Sequence, residues 1–164
     1  MFKSIEKLAA NGFEGFLSIE ELKNNINMLP KVPGVYVVIH TNPAEMDFVE
    51  KGTGGFFKGK DPNIPIKELK FNCVPSSYAI YIGKAGGSAS AATLHKRIKQ
   101  YLSFGAGKAV GHYGGRLIWQ IKDQSEIAFA WKPITESEPR LIEQKMIREF
   151  ESEFGCLPFA NLVR

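Results

Sequence analysis

The sequence predicts an α+β fold in which a small β-sheet is flanked by helices. Three observations support this prediction. The 164 residues fit one domain, and this length is enough to bury about two-thirds of the surface of the unfolded chain. Short runs rich in β-branched and aromatic residues predict strands, and segments with capping residues and helical periodicity predict helices. We therefore treat 1–164 as one domain.

The composition is that of a soluble globular protein, with 44% hydrophobic and 23% charged residues, and this excludes a disordered or fibrous chain. A net charge of +4 suits a phosphate-rich partner without identifying one. The two cysteines, Cys73 and Cys156, lack metal-type spacing and read as free thiols of a reducing compartment. The start of the chain has no apolar leader, and no run has the length of a membrane span. These features predict a cytoplasmic protein with no membrane partner.

The N-terminal segment, 1–30, is predicted to be a helical extension of the domain. Ser18 and Glu21 form a capping-box pattern, in which each residue satisfies a backbone amide at the start of a helix. The helix that they open should run over 19–26 and end before Pro30.

A long insertion separates the first two predicted strands, 35–39 and 78–82. The intervening segment, 41–77, is rich in glycine and proline and should be a loop with one helical turn near 66–69. Loops of this length are either functional or mobile. A solvated loop is slightly favoured, and a nucleic-acid-contacting insertion is the alternative. The basic and aromatic residues that the insertion interleaves are Lys51, Lys58, Lys60, Lys67, Lys70, Phe56, Phe57 and Phe71.

The second half of the chain predicts two helices and two strands. A helix is expected at 91–104, after a turn rich in glycine, serine and alanine. Two strand-like runs follow at 117–121 and 127–131. The last helix is expected to begin near 137–139 and to run to about 154, because its proline is tolerated in a first turn and a glycine directly follows it.

Glu143 is the residue that helical geometry singles out. At about 100° per residue, it projects from the middle of the apolar face of the last helix. That face is formed by Ile142, Met146, Ile147, Phe150 and Phe154. A carboxylate directed at a core is costly unless it is paired, protonated or bound to metal. From the wheel alone, a functional carboxylate and a buried salt bridge to an arginine are equally supported.

Arg97 gives a second indication of a site. The apolar stripe of its helix is Leu94, Ile98 and Leu102, and Arg97 lies at the border of that stripe, four residues before Tyr101. An arginine in this position either extends its charge to solvent or presents its planar fork to a phosphate. The local pattern favours the first interpretation.

Five sequence motifs occur along the chain, and their order is informative. Gly34-Val35-Tyr36 lies in the first predicted strand, and Tyr81-Ile82-Gly83 in the second. Lys84 directly follows the second motif, and the three remaining elements are Arg97 with Tyr101 one turn later, Glu143, and Asn161 after a proline. Over about 33–161, apart from the insertion, this order resembles the GIY-YIG nuclease family. The resemblance implies a small central antiparallel β-sheet flanked by helices, GIY-YIG endonuclease-like, and a metal-dependent endonuclease that hydrolyses phosphodiester bonds in DNA.

The resemblance also implies roles for individual residues. Glu143 would be the only carboxylate ligand of one divalent ion, Mg²⁺ or Mn²⁺. Arg97 would bind the scissile phosphate, and Tyr36 would relay or accept the proton of the attacking water. Tyr81 and Tyr101 would orient water and phosphate. The full set of candidate catalytic residues is Tyr36, Tyr81, Lys84, Arg97, Tyr101, Glu143 and Asn161, the last of which would tie the tail to the site by hydrogen bonds.

Candidate nucleic-acid contacts are Lys84, Arg97, His112 and Arg116. His112 and Arg116 lie outside the motifs in a glycine-rich segment, so they either contact phosphate or are merely exposed. DNA is the expected partner and RNA is an alternative, whereas the oligomeric state is not indicated. The two motif tyrosines, Tyr36 and Tyr81, are 45 positions apart (81 − 36), and most family members have a short turn there. This insertion and the lack of a second domain favour restriction or defence over repair.

Two other functions are compatible with the sequence. The first is a nucleic-acid-binding module that keeps the scaffold but does not cut. It ranks second to the nuclease, because the set of motif residues expected for catalysis is complete. The other is a small adaptor in which Glu143 and Arg97 form a buried pair without any role in nucleic-acid binding. Salt-sensitive binding to DNA would argue against the adaptor, because phosphate contacts release counterions.

Overall fold

A computed structural model describes residues 1–162 and has an α+β architecture built on one four-stranded antiparallel sheet. The strands are β1 (Glu14–Ser18), β2 (Gly34–His40), β3 (Ala79–Ala85) and β4 (Ile127–Pro133), and their order across the sheet is β1-β4-β2-β3. The helices are α1 (Ile5–Ala10), α2 (Ile19–Asn24), α3 (Ile66–Asn72), α4 (Leu94–Gly105) and α5 (Pro139–Phe154). The predicted α+β class is therefore confirmed. No helix in the described range is long and apolar enough to cross a membrane.

The strands β2 and β3 are direct antiparallel neighbours even though the insertion separates them in sequence. In their register Tyr36 lies opposite Gly83, and Val38 lies opposite Tyr81. Because side chains directly opposite each other point to the same face of a sheet, the two motif tyrosines share one face and are diagonal neighbours, two positions apart along the ladder. All seven residues of β2 are buried, which explains why this strand reads as a continuous apolar run.

The predicted helix boundaries agree with the structure to within a few residues. The Ser18 hydroxyl accepts from the Glu21 amide and the Glu21 carboxylate accepts from the Ser18 amide, so the capping box is formed. Helix α4 begins after Thr93, whose hydroxyl caps it. Helix α5 ends at Gly155, whose φ of 75° is readily adopted by glycine.

Two elements differ from the sequence-based prediction. The segment 1–30 is not wholly helical, because β1 lies within it and pairs with β4 as an edge strand. Its register shifts near Gly15 and Phe16, which both have positive φ, and the irregularity hides the usual alternation. The run 117–121 is not a strand but belongs largely to a 3₁₀-helix, Tyr113–Gln120. Short apolar runs are ambiguous between buried strands and buried helices, and here the helix is formed.

The insertion 41–77 packs on the domain and ends in helix α3. The Gln120 side chain holds it in place: its amide nitrogen donates to the carbonyls of Val49, Glu50 and Ile64, and its amide oxygen accepts from the Ile64 N–H. Gln120 is itself buried, and these four bonds are partly buried, so they are less exposed to competition from water than surface bonds are. The predicted helical turn is confirmed as part of α3, whereas the free loop is replaced by a packed segment.

Two apolar clusters cover the two faces of the sheet. One contains Val35, Val37 and Ile82 together with the inner side of α5, and α1 contributes to it. The other contains Tyr36, Val38 and Tyr81 together with the inner side of α4 and the 3₁₀-helix. Since β3 is an edge strand, a side chain of α5 is able to reach past it toward the tyrosine face. Glu143 does so.

Candidate active site

A small cavity lies at the β3 edge of the sheet, with a volume of about 210 Å³. Its lining comes from β2, β3, α4, α5 and the segment between β3 and α4. The lining residues are Tyr36, Tyr81, Lys84, Ala85, Ser90, Ala92, Arg97 and Glu143. Five of the seven candidate catalytic residues therefore meet in one place, although they are spread over more than a hundred positions of the chain.

The geometry of the two tyrosines depends on the glycines of their motifs. The rings of Tyr36 and Tyr81 have their centroids 6.0 Å apart. A Cβ atom on Gly83 would lie 2.6 Å from Cζ of Tyr36 and 2.8 Å from Cε1 of Tyr81, so no larger residue fits between them. A Cβ atom on Gly34 would collide with the carbonyl of Lys132 in β4. Gly83 thus leaves room for the two rings, and Gly34 allows β2 to lie close to β4.

Arg97 is half-buried and held in position by two hydrogen bonds. Its Nη1 donates to Oε1 of Gln100 at 2.8 Å and to the carbonyl of Gly111 at 3.1 Å. A guanidinium has five N–H donors in a rigid fork, so donors remain for a ligand in the cavity. The interpretation that this arginine merely extends into solvent does not describe the structure, because its side chain lines the cavity.

Glu143 enters the cavity from α5 and is half-buried. Within residues 1–162 its carboxylate forms no hydrogen bond or ion pair, so the buried salt bridge with Arg97 is not formed. Burial raises the pKa of this carboxyl, and the positive charges of Lys84, Arg97 and Arg140 oppose that rise. The result is an ionisable oxygen pair that faces an open space and has nearby positive charge but no direct partner.

The tyrosine hydroxyls of the site are held in their protonated form. Burial raises the pKa of Tyr36 well above its usual value, and the neighbouring Tyr81 raises it further, while Arg97 opposes both. Burial also raises the pKa of Tyr81. At neutral pH these groups therefore act as hydrogen-bond donors, and Tyr36 needs an acceptor for its own proton before it is able to take one from water.

His112 places a ring nitrogen beside the Tyr36 hydroxyl from an unexpected position, and with this nitrogen unprotonated it is such an acceptor. It is 1% exposed, its Nε2 lies 3.3 Å from the Tyr36 hydroxyl, and its ring stacks on Tyr101 at 3.6 Å between centroids. Its Nδ1 has no hydrogen-bond partner. Burial lowers the pKa of this imidazole well below its usual value, and the charge of Arg97 lowers it further. The structure therefore places His112 in the interior behind Tyr36, and not on an exposed segment from which a phosphate contact was expected.

Tyr101 and Asn161 support the site without lining the cavity. Tyr101 is fully buried and its hydroxyl donates to the carbonyl of Gly115, so the predicted direct contact with water and phosphate is not available to it. Asn161 forms two hydrogen bonds of 2.9 Å with the backbone N–H and carbonyl of Ile82. The expected tie between the tail and the site is therefore present, at the free edge of β3.

Arg116 lies away from the cavity. Its guanidinium stacks on the ring of Tyr113 at 4.2 Å, and Nη1 donates weakly to the Tyr113 carbonyl at 3.4 Å. Nothing in its sequence context indicated this intramolecular role. The His112 contact was equally hidden, because it joins residues 76 positions apart and follows no local period. The only hint was a histidine between glycine-containing turns.

Comparisons with known proteins add no assignment. No protein-family model, curated protein or solved structure matches this chain. Across residues 1–162 there is also no group of three or more histidine, cysteine, aspartate or glutamate side chains placed to hold a metal ion. The geometry of the cavity and the order of the motifs are thus the basis for a functional proposal.

Proposed function

We propose that the protein is a metal-dependent endonuclease of the GIY-YIG type that hydrolyses phosphodiester bonds in DNA. One observation carries the proposal: Tyr36, Tyr81, Lys84, Arg97 and Glu143 converge on one cavity. They are the residues that the motif order assigns to catalysis, and they come from four different elements of the fold. The long packed insertion is the feature that favours a restriction or defence role over repair.

The carboxylate of Glu143 fits a divalent cation. It is half-buried, faces the cavity and has no partner among residues 1–162, although a charge taken out of water needs one. A single carboxylate suits Mg²⁺, which keeps several waters and takes other ligands from substrate oxygens, and Mn²⁺ has similar ligand preferences. When bound there, such an ion supplies positive charge to the phosphate and increases the acidity of nearby water.

Arg97 and Lys84 provide the remaining positive charge. The donors of Arg97 that Gln100 and Gly111 leave free would bind the scissile phosphate, on which negative charge increases in the transition state. Its orientation is set before the substrate arrives, so little reorganisation is needed during the reaction. Lys84 adds a second cation to the lining of the cavity.

Tyr36 and His112 form a proton relay in this mechanism. The Tyr36 oxygen takes a proton from the attacking water while its own hydroxyl proton passes to Nε2 of His112. The transfer requires neutral His112, and the lowered pKa of its imidazole keeps that form present at neutral pH. As the water oxygen bonds to phosphorus, the bond from phosphorus to the leaving oxygen breaks, and that oxygen keeps the electron pair and takes up a proton from solvent. Tyr81 orients the water by donating a hydrogen bond.

The test is cleavage of a pool of random-sequence DNA duplexes with Mg²⁺ or Mn²⁺. A random pool removes the dependence on one recognition site. The wild type should cut it, and Glu143→Ala should lose roughly a thousandfold in rate, because the carboxylate that would hold the metal is gone. Glu149→Ala is the matched control, since Glu149 is exposed on the same helix. Unchanged cleavage by Glu143→Ala, or no cleavage by the wild type, contradicts the proposal.

The second candidate is a DNA-binding module that does not cut. The raised pKa of Tyr36 favours it, since a protonated phenol is a poor base. The two candidates make different predictions for one experiment. Binding of DNA by the wild type without cleavage in either metal identifies the module, whereas metal-dependent products identify the nuclease.

A further inference from the structure

A band of positive charge follows the outer side of helix α4. Two neighbouring depressions lie there, with volumes of about 600 Å³ and about 230 Å³, and both are lined by Lys99 and Ser103. The basic residues that line them define a basic track: Lys23, Lys31, His95, Lys96, Lys99 and Lys108. The track is therefore assembled from α2, the segment before β2, α4 and the segment after α4.

The track is a continuous surface because of helical spacing. Lys96, Lys99 and Ser103 lie at intervals of three and four residues, which places them on one face of α4. Lys31 lies beside the beginning of the helix, where the amide of His95 donates to the carbonyl of Pro30. Lys108 follows its end. The 12 residues of α4 extend over about 18 Å, a length that corresponds to roughly five phosphates along one strand of duplex DNA.

The charge of the track is uncompensated. Its five lysines are exposed, and in the part of the chain that the structure describes none of them forms an ion pair. No acidic side chain is among the described residues that line either depression. The positive charge also affects His95: burial lowers the pKa of its imidazole, and the charges of Lys31 and Lys99 lower this pKa further. Positive charge without internal partners is typical of surfaces that bind polyanions.

The basic track adjoins the active-site cavity. Gln100 lines the larger depression, and its side-chain oxygen accepts a hydrogen bond from Arg97, which lines the cavity. Thr93 also lines the larger depression, and its neighbour in the chain, Ala92, lines the cavity. A strand that follows the track therefore arrives at the guanidinium to which the scissile phosphate is assigned.

We propose that the basic track binds the backbone of the DNA strand that leads to the scissile phosphate. This inference rests on the DNA substrate of the proposed function but not on the cleavage step. The lysines act as point charges on phosphates, so the track contributes affinity and register without reading sequence. The lysines of the insertion lie outside it and are not required for this contact.

Direct binding measurements test the track. A triple variant, Lys31→Gln, Lys96→Gln and Lys99→Gln, is compared with a control triple, Lys7→Gln, Lys122→Gln and Lys145→Gln, which removes the same charge from exposed lysines elsewhere. The dissociation constant for a labelled random duplex is followed by fluorescence anisotropy from about 0.05 to 0.2 M salt without divalent ions. The track triple should bind at least about tenfold more weakly, with a salt slope reduced by about two to three.

Two further comparisons make the result decisive. Replacement of the same three lysines by arginine should restore binding, because charge is retained, and circular dichroism should show that all variants are folded. Equal loss in both glutamine triples, or no loss in either, overturns the track. Binding to anionic lipid vesicles but not to DNA overturns it as well.

The outcomes also separate the track from the nuclease proposal. A wild type that binds DNA through the track but yields no products refutes cleavage and leaves the track standing. If the wild type and the track triple cut DNA with equal efficiency and have equal dissociation constants, the track is refuted and the proposed cleavage is unaffected.

Discussion

The two sides of helix α4 carry the same charge in very different settings. On the cavity side, Arg97 is half-buried, held by Gln100 and Gly111, and lies in the same cavity as the unpaired Glu143. On the outer side, Lys96 and Lys99 are exposed and form no ion pair among residues 1–162. One helix thus presents a hydrogen-bonded cation to a small cavity and exposed cations to solvent.

This difference assigns different work to the two sides. Charges in a water-excluded site interact strongly with charge that develops in a transition state, because solvent does not screen them. Exposed charges are screened by salt within about 10 Å at 0.1 M ionic strength and contribute mainly to association. Under the proposed function, substitutions on the cavity side should therefore reduce the rate of cleavage, and those on the outer side should weaken binding of DNA.

The largest expected separation is between Arg97 and its neighbour on the outer side. Arg97→Ala should reduce the cleavage rate by roughly 10²–10³-fold, since it removes a donor to the transition state, and should change the dissociation constant by less than about threefold. Single-turnover cleavage and anisotropy measure the two quantities. Lys96→Ala is the control, with a modest effect on binding and an unchanged rate at saturation. Equal losses of rate and affinity for Arg97→Ala would make it a binding residue.

A smaller effect is expected for His112, which lies behind the cavity. His112→Phe keeps a ring on Tyr101 but removes the acceptor for the Tyr36 proton, so cleavage should fall by roughly 10–100-fold with unchanged DNA affinity. In the wild type the pKa of His112 lies well below its ordinary value of 6.5, so this residue should cause no loss of rate between pH 7 and pH 6. Full activity of the phenylalanine variant at all pH values would refute the relay.

The smallest expected effect concerns stability. Because burial raises the pKa of Glu143 above 4.5, its ordinary value, the folded state binds more protons than the unfolded state in the interval between the two values. Wild-type stability therefore falls as pH rises through that interval. The free energy of unfolding of Glu143→Gln should exceed that of the wild type by about 1 kcal/mol at pH 7, and this difference should vanish below about pH 4.5. Denaturant melts measure it.

Lys99→Gln is the matched control for this measurement. Lys99 is exposed on the outer side of α4, so its replacement should change the unfolding free energy by less than about 0.5 kcal/mol at either pH. A Glu143→Gln protein less stable than the wild type at pH 7 would show that the carboxylate has a stabilising partner, and the contrast between the two sides of the helix would no longer hold.

Much of the fold could be predicted, and the errors have identifiable causes. The strands β2, β3 and β4 and the helices α4 and α5 follow from local propensity, caps and breakers. The edge strand β1 could not, because positive φ at Gly15 and Phe16 interrupts its alternation. The run 117–121 matches strand and helix equally well by composition, and its burial against α4 and the insertion selects the helix.

The candidate site was partly predictable for a related reason. The position of Glu143 in the middle of an apolar face is a property of one helix, and the order of the tyrosine, arginine and glutamate motifs is a property of the chain, so both are visible in the sequence alone. The contact between Tyr36 and His112, the tie of Asn161 to Ile82 and the assembly of the basic track are different in kind. They join segments far apart in sequence. Only the packing of β3, α4 and the segment after α4 against one another brings those segments together. The physical reason is that side-chain periodicity encodes which face of an element is buried but not which residues that face meets.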